Sequence, residues 1–149
     1  MLRLWLIAFT GFFVCAVADA HADYQQRIEL GAGIVSTNNP AQTNLEISAE
    51  YEYRIEPKLG YGLSANYIFS NPGILLLAVP EAFLHPLEGD WLISGAPLLE
   101  FGPGSSTNIG LKIGTRVPIP LRSVTLIPEV AVDFIANGPI TVFGLGIQF

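Results

Sequence analysis

Charged residues are scarce in this sequence. Only 13% of its 149 residues are Asp, Glu, Lys or Arg, while 50% are hydrophobic; an ordinary soluble domain carries about 25% charged residues. A typical cytosolic globular enzyme is therefore excluded. Basic residues are fewer than acidic ones: the sequence has 7 Lys and Arg and 13 Asp and Glu, which gives a net charge of −6. Since this balance repels phosphates, we expect no nucleic acid partner.

The first residues have the features of an export signal. Arg3 precedes an unbroken apolar run over residues 4–17, and the small-residue patterns that follow permit cleavage after Ala20 or Ala22. An uncleaved membrane anchor is the alternative, but the run is short for a span. The expected division is a signal peptide at residues 1–20 and one exported domain at residues 21–149.

Cysteine is nearly absent. Cys15 is the single cysteine and falls inside the expected signal peptide. A lipoprotein start at this position fits poorly, because Val14 is bulkier than the small residue that such processing prefers. The exported chain would therefore have no disulfide and no thiolate metal site.

Long apolar runs are missing after the signal segment, and no stretch there reaches the ~20 apolar residues of a spanning helix. Alternation with period two recurs instead, interrupted by Asn, Pro, Gly and Ser clusters, and this pattern is typical of β-strands. Strands are predicted at residues 27–35, 45–55, 59–69, 74–85, 91–101, 108–117, 124–135 and 140–149. The sequence thus predicts an all-β domain of about eight strands.

The two faces of these strands differ sharply in charge. Because successive residues of a strand point to opposite sides, alternate positions can be sorted by face. One face is apolar and carries no charge. The other collects the charged residues Arg27, Glu29, Glu46, Glu50, Glu52, Arg54, Glu81, Glu100, Lys112, Arg116, Glu129 and Asp133, interleaved with glycines.

Three features indicate that the apolar face lies outside. Glycine on the charged face suits the crowded lumen of a small barrel. Aromatic residues such as Tyr53, Tyr61, Tyr67 and Phe143 stand near the ends of the apolar face, as in the girdles of membrane barrels. Strands of ~10 residues also match those that cross a bilayer at a tilt. A soluble exported barrel or sandwich is the alternative.

The last strand carries the most specific resemblance. Its residues 143–149, FGLGIQF, place apolar side chains at alternate positions and end on an aromatic. With the export signal and the alternating strands, this resembles the small eight-stranded outer-membrane β-barrel proteins of Gram-negative bacteria. The resemblance implies a single antiparallel up-and-down transmembrane barrel, surrounded by outer-membrane lipid. It also implies that the barrel-insertion machinery recognises Phe143, Leu145, Ile147 and Phe149.

An eight-stranded barrel has an interior just wide enough to be filled by side chains. We therefore expect the inward charges to form a buried network rather than to line a channel, and a narrow cation-selective pathway is the alternative. The expected network consists of Glu46, Glu50, Glu52, Arg54, Glu81, Glu100, Lys112, Arg116, Glu129 and Asp133.

Few residues suggest chemistry. Glu81 and His85 are four residues apart on one face, which allows an acid–base pair, although a hydrogen-bonded lumen histidine is the plainer interpretation. No nucleotide loop or nucleophile elbow is present, and one histidine among scattered carboxylates makes no metal cluster. We expect no enzyme activity, no cofactor and no metal.

Proline is the least expected feature of the strands. Pro80, Pro97 and Pro128 fall inside predicted strands, where the missing N–H requires a bulge or an unpaired edge. In this respect alone the chain resembles the palmitoyl-transferase barrels, whose prolines open lateral gaps for lipid. The predicted strand 74–85 is apolar on both faces, which suggests an inward patch for an acyl chain. The expected patch is Ile68, Leu75, Leu77, Val79 and Leu98.

With eight strands both termini lie on the periplasmic side. The outer connections, at residues 37–42, 71–72, 102–107 and 137–139, then carry no charge, while the inner turns at 56–58, 87–90 and 118–123 carry several. Such short neutral loops offer little surface for adhesion. The sequence therefore favours a structural or envelope-stabilising role, with a barrel that binds or transports an apolar or acyl ligand second and a lipid-modifying enzyme third.

Overall fold

The computed structural model describes residues 26–38, 41–86, 91–102 and 107–148. The expected signal peptide and Phe149 lie outside these residues. The strands are β1 (Gln26–Asn38), β2 (Ala41–Glu56), β3 (Leu59–Ile68), β4 (Ile74–Leu84), β5 (Leu92–Phe101), β6 (Thr107–Arg116), β7 (Ile119–Pro120), β8 (Thr125–Ile135) and β9 (Gly138–Gln148). No helix among the described residues is long and apolar enough to cross a membrane.

The strands form one closed antiparallel sheet. Its order is β6-β5-β4-β3-β2-β1-β9-β8-β7, and pairing of β6 with β8 completes the circle. The barrel has two ends, which we call the terminal end, where β1 begins and β9 ends, and the loop end opposite. Each long strand connects to its sequence neighbour, so the predicted up-and-down topology is confirmed.

The short β7 is the continuation of β6. Arg116 pairs with Glu129 of β8 and Ile119 pairs with Leu126 of β8, which is one unbroken register. The barrel is thus eight-stranded. The turn expected at residues 118–123 is shorter, because the main chain still pairs with β8 through Pro120.

The connection expected at residues 37–42 is also shorter than predicted. β1 continues to Asn38 and β2 begins at Ala41, with Thr37 paired to Gln42. Main-chain pairing does not require apolar side chains, so the ladder continues past the point where the hydrophobic alternation ends.

β4 contains a bulge, and the alternation of inward and outward side chains along the strand reverses there. Between Ala78 and Ala82 its pairing with β5 shifts, and its pairing with β3 shifts across the same segment. The shift corresponds to one extra residue in β4, so Val79 and Pro80 are both exposed on the outer surface. A one-residue shift exchanges the two faces of a strand. If Glu81 points into the lumen, uninterrupted alternation would place Leu75, Leu77 and Val79 in the lumen as well. Because of the bulge, the residues of β4 before it have the opposite alternation.

This bulge makes the predicted orientation of the apolar patch wrong in part. Three of the five residues face outward, namely Leu75, Leu77 and Val79. Leu76 and Ala78 face the lumen in their place and are 0% and 1% exposed. Ile68 and Leu98 do face the lumen and are buried.

Two of the three in-strand prolines lie at an interruption of a ladder, where a missing N–H is tolerated. Pro80 lies in the bulge of β4 and Pro97 lies on β5 opposite the same gap. At Pro128 of β8 the register is continuous on both sides, and the Val117 N–H donates to Pro128 O at 3.3 Å. The prediction that in-strand prolines disturb strand pairing is thus confirmed at Pro80 and Pro97, whereas Pro128 causes no bulge.

The glycines of the inner face permit close packing, and Gly62 beside the bulge is the tightest case. A Cβ there would meet the main-chain carbonyl of Tyr51, which cannot move aside as a side chain could. We predict that Gly62→Ala lowers the free energy of unfolding in lipid vesicles by about 1–3 kcal/mol. Gly95→Ala is the matched control, because its Cβ would meet only the Lys112 carbonyl at 3.7 Å. Equal losses for both variants in urea titrations would contradict the prediction.

Candidate functional site

The lumen contains an ion network centred on Arg116 of β6. This buried guanidinium contacts Glu50 Oε2 at 2.5 Å through Nη1 and Glu129 Oε1 at 2.8 Å through Nη2. Glu129 stands opposite Arg116 on the neighbouring strand β8, and Glu50 comes from β2 on the far side of the barrel. One side chain therefore ties three strands together across the lumen.

Arg27 of β1 extends the network towards the terminal end. Its Nη2 donates to Glu50 Oε1 at 2.8 Å, and its Nε lies 3.3 Å from Glu52 Oε2. The guanidinium carbon also lies 6.0 Å from the ring centroid of Phe83, within cation–π distance. Because Glu50 contacts both Arg27 and Arg116, the network is continuous rather than a set of separate pairs.

Lys112 of β6 connects the network to β3 and β4. Its Nζ donates to Ser64 Oγ at 3.1 Å and lies 3.7 Å from Glu81 Oε1 and 3.8 Å from Glu129 Oε1. Glu81 is 0% exposed. Removing the Lys112 charge would leave this carboxylate with Arg116, at 4.0 Å, as its remaining described ion partner.

His85 contacts a different acid from the one that sequence spacing suggested. Its Nε2 lies 2.6 Å from Glu52 Oε1, its ring nitrogens lie 3.2 Å from Arg54 Nη2, and its main-chain N–H donates to Lys58 O at 2.9 Å. Glu81 points to Lys112 instead. His85 is thus a hydrogen-bonded lumen histidine, and sequence analysis missed Glu52 because the pair is non-local.

Three further carboxylates of the expected network have no described Lys, Arg or His nitrogen within 4.0 Å. Glu46 accepts a hydrogen bond from Asn66 Nδ2 at 3.3 Å, and Glu100 accepts one from Asn108 Nδ2 at 3.2 Å. Asp133 is 1% exposed. Among the described residues, no Lys, Arg or His nitrogen lies within 4.0 Å of these three carboxylates. The structure therefore divides the predicted charges into a paired network and three unpaired acids.

This division gives opposite expectations for two neutral substitutions. Glu46→Gln keeps an oxygen for Asn66 and removes a buried charge that has no described cation within 4.0 Å, so we predict unchanged or higher stability, by up to about 1 kcal/mol. Glu129→Gln removes the charge that faces Arg116 and Lys112, so we predict a loss of about 2 kcal/mol or more. Urea unfolding in lipid vesicles measures both. Equal losses would contradict the division.

An apolar lumen layer lies in the loop-end half of the barrel, beside the buried carboxylates Glu46, Glu100 and Asp133. It consists of Val35, Ile68, Leu76, Ala78, Ala96, Leu98, Ala131, Ile140 and Val142, all at most 3% exposed. Ile74 and Ile135, which stand at the loop-end limits of β4 and β8, pack against it. The layer contains Ile68 and Leu98 of the predicted patch, whereas a ligand role for these residues stays a prediction.

The outer wall is apolar along the barrel. Exposed side chains include Leu45 (65%), Ile109 (77%) and Phe143 (57%). The apolar strand face therefore points outward, as predicted. β3, β5 and β6 have 10 residues each. At ~3.3 Å per residue and ~40° tilt such a strand rises about 25 Å, the height of the apolar band of outer-membrane barrels.

Aromatic residues border this wall near both ends. Towards the terminal end, the Tyr53 and Tyr61 rings lie 5.6 Å apart and Trp91 Nε1 donates to Thr115 Oγ1 at 2.6 Å. Towards the loop end, Tyr67 and Phe69 pack edge to face at 5.1 Å. This arrangement matches the two interfacial girdles of a membrane barrel.

The described residues of the expected insertion signal share the outer face of β9. They are Phe143, Leu145 and Ile147, each exposed. Recognition by an insertion machinery stays a prediction.

In the described part of the chain, no group of three or more His, Cys, Asp or Glu side chains is arranged to hold a metal ion. The described contacts of the lumen acids are ion pairs and hydrogen bonds with neighbouring Arg, Lys, His and Asn side chains.

Solved structures share this architecture. The crystal structure of Neisserial surface protein A has a TM-score of 0.63 at 13% identity, over 83% of this chain and 94% of that one. The N-terminal β-barrel domain of Pseudomonas aeruginosa OprF has a TM-score of 0.57 at 12% identity, over 84% and 98%. A de novo designed transmembrane β-barrel has a TM-score of 0.53 at 13% identity, over 87% and 98%.

No protein-family model matches the sequence, and no curated protein matches it. Identities this low concern the fold alone. The closed eight-stranded sheet, its apolar wall and its charged lumen agree with these likenesses. In fold, the chain is a small eight-stranded β-barrel of the kind found in the outer membranes of Gram-negative bacteria.

Proposed function

We propose that this protein is an outer-membrane barrel with a structural, envelope-stabilising role and without enzyme activity. The observation that carries this proposal is the filled lumen. Arg116 joins β6 to its neighbour β8 and, across the interior, to β2, and the apolar lumen layer lies in the loop-end half. A barrel filled in this way presents its wall, rather than a cavity, as its main functional surface.

The distribution of exposed charge supports the orientation that goes with this role. Three exposed charged residues of the described chain lie in or directly beside turns at the terminal end, namely Glu56, Lys58 and Arg122. The connections at the loop end carry no charged residue. We place the terminal end in the periplasm and the loop end in the outer leaflet, where short neutral connections offer little surface to a macromolecular partner.

The envelope role can be tested by complementation. Cells that lack the protein should become more sensitive to bile salts and to large hydrophobic antibiotics, and wild-type protein should restore resistance. A variant with the 70–72 connection replaced by Gly and Ser residues should restore it equally well, because the role rests on the barrel. Wild-type resistance in cells lacking the protein, or failure of the connection variant despite normal membrane levels, would contradict the proposal.

Assembly supplies the partner in this proposal. We propose that the barrel-insertion machinery recognises the last strand through Phe149 with the outward Phe143, Leu145 and Ile147. Deleting Phe149 should lower the amount of folded barrel in cell membranes while leaving spontaneous folding in detergent nearly unchanged. Heat-modifiable migration on gels measures both. Equal membrane levels of wild type and variant would contradict recognition of the terminal residue.

A second candidate is a barrel that takes an acyl chain through its wall. The observation that favours it is the interrupted pairing of β4 and β5 between Ala78 and Ala82, directly beside Leu76 and Leu98 of the apolar lumen layer. Burying ~8 methylenes there would yield about 6 kcal/mol before the costs of ordering and of displacing side chains.

Spin-labelled fatty acid tests this candidate. If an acyl chain enters the layer, the label should be immobilised by wild-type protein and released by Leu98→Trp, which fills the lumen. The outward-facing Leu77→Trp is the matched control and should leave the label immobilised. No immobilisation by wild type would leave the structural role. A lipid-modifying enzyme is the third candidate, and no described nucleophile–base pair favours it.

A further inference from the structure

Glu81 of β4 is a buried carboxylate without a close hydrogen-bond donor. It is 0% exposed, and its Oε1 lies 3.7 Å from Lys112 Nζ and 4.0 Å from Arg116 Nη2. Both distances exceed the length of a hydrogen bond. Within the described chain, no donor reaches either oxygen of this side chain. Since a buried carboxylate is costly unless hydrogen bonds solvate it, Glu81 requires a further donor.

Two other buried polar groups lie beside Glu81. Ser94 Oγ and Arg116 Nε have no hydrogen-bond partner among the described residues, and both residues are 2% exposed. β5 lies between β4 and β6, and its Ser94 pairs with Phe83, two residues after Glu81. On the other side Ser94 pairs with Gly114, two residues before Arg116. Glu81 and Arg116 are therefore the diagonal neighbours of Ser94 on the inner face.

We propose that the lumen binds one water molecule among Glu81, Ser94 and Arg116. Water can donate to Glu81 Oε2, accept from Arg116 Nε and exchange a hydrogen bond with the Ser94 hydroxyl, and an internal water typically makes about three such bonds. Gly114 leaves the position opposite Ser94 without a side chain, where a Cβ would lie 3.2 Å from Ser94 Oγ. The inference goes beyond the structural role proposed above, since it assigns a bound ligand to the lumen.

The charges around the site favour a neutral ligand. Lys112 and Arg116 repel a cation, while Glu81 and Glu129 repel an anion. Glu129 Oε1 lies 2.8 Å from Arg116 Nη2, so an ion of either sign would compete with an existing pair. A small molecule that both donates and accepts hydrogen bonds brings no charge into the network, and water meets this requirement.

The bulge of β4 places Glu81 at this site. Leu76 and Ala78 face the lumen, so uninterrupted alternation would turn Glu81 outward. The extra residue between Ala78 and Ala82 restores the inward direction. The bulge therefore has a role in ligand binding besides its effect on the ladder.

High-resolution crystal structures of the protein purified from cells test the site. Wild type should show a solvent peak about 2.6–3.2 Å from Glu81 Oε2 and from Ser94 Oγ. Ser94→Val fills the position with methyl groups and should remove the peak, whereas Ser94→Ala leaves room and should keep it. Direct bonding of Glu81 to Lys112 or Arg116 without a solvent peak would overturn the proposal. An anomalous signal at the site after crystal growth in rubidium or bromide would show a bound ion and would also overturn it.

Stability provides a second measurement, which loss of the hydroxyl alone would not change. Both variants lack Ser94 Oγ, but only valine expels the water that solvates Glu81. The unfolding equilibrium constant in urea titrations should therefore be about tenfold or more higher for Ser94→Val than for Ser94→Ala. Adding Glu81→Met should shrink this difference, because no carboxylate is left to solvate. Equal constants, or a difference that Glu81→Met leaves unchanged, would overturn the proposal. If Ser94→Val does not fold, the solvent peaks of wild type and Ser94→Ala decide.

Discussion

Replacing Arg116 by Gln should cause the largest loss of stability among single substitutions of the lumen charges. The change leaves Glu50 and Glu129 buried without the guanidinium that contacts them at 2.5 and 2.8 Å. Removing one partner of a buried ion pair costs about 3–5 kcal/mol, because the remaining charge stays desolvated. Urea unfolding in lipid vesicles should show this loss as a lower midpoint at unchanged slope.

Arg54→Gln is the matched control for Arg116→Gln. The Arg54 side chain is 24% exposed, and its Nε lies 3.8 Å from Glu52 Oε1. Partly hydrated pairs contribute little, so the loss should stay below about 1 kcal/mol. Combining Arg116→Gln with Glu129→Gln should cost less than the sum of the two single losses, since the double variant removes both partners of one pair. Equal losses in the free energy of unfolding for Arg116→Gln and Arg54→Gln would contradict the central role of Arg116 in the ion network.

A positive charge at mid-wall should have the second largest effect. Leu63 lies on the outer face of β3, opposite Tyr51 of β2. In a bilayer, Leu63→Arg should lower the free energy of unfolding by about 2–4 kcal/mol, because the guanidinium would be near the midplane of the hydrocarbon. Chemical unfolding in phospholipid vesicles measures the difference.

The depth dependence provides the control for this experiment. Leu59 lies on the same strand at the terminal end and is 43% exposed. There an arginine can reach the interface, so Leu59→Arg should cost about 0–1 kcal/mol. Equal effects at the two positions would contradict a bilayer around the wall and would favour a soluble barrel, in which Leu63 would contact protein.

The outward direction of the apolar face was predictable because it is a local property. Side chains of a strand point alternately to its two faces, so the presence of charged residues at alternate positions is enough to tell one face from the other. Charges on the inner face are costly unless they have partners, so their segregation marked the lumen. The eight strands and their order followed from segment count and short connections.

The site was predictable in composition but not in contacts. Sequence analysis placed Glu50, Arg116 and Glu129 on one face. Arg116 and Glu129 lie on neighbouring strands, but the contact of Arg116 with Glu50 of β2 forms only when the barrel closes. For the same reason it linked His85 to Glu81 by spacing, whereas the closed barrel brings Glu52 to the ring.

Sequence by itself determined the class of fold, the charged lumen, the apolar wall and the disturbance of strand pairing at Pro80 and Pro97. These features depend on the two-residue period of a strand and on the missing N–H of proline. Only the tertiary structure decided that the disturbance at Pro80 is a bulge of one residue, which exchanges the faces of β4 and brings Leu76 rather than Leu77 into the lumen. Register is set by pairing with two neighbouring strands at once, and that information is non-local.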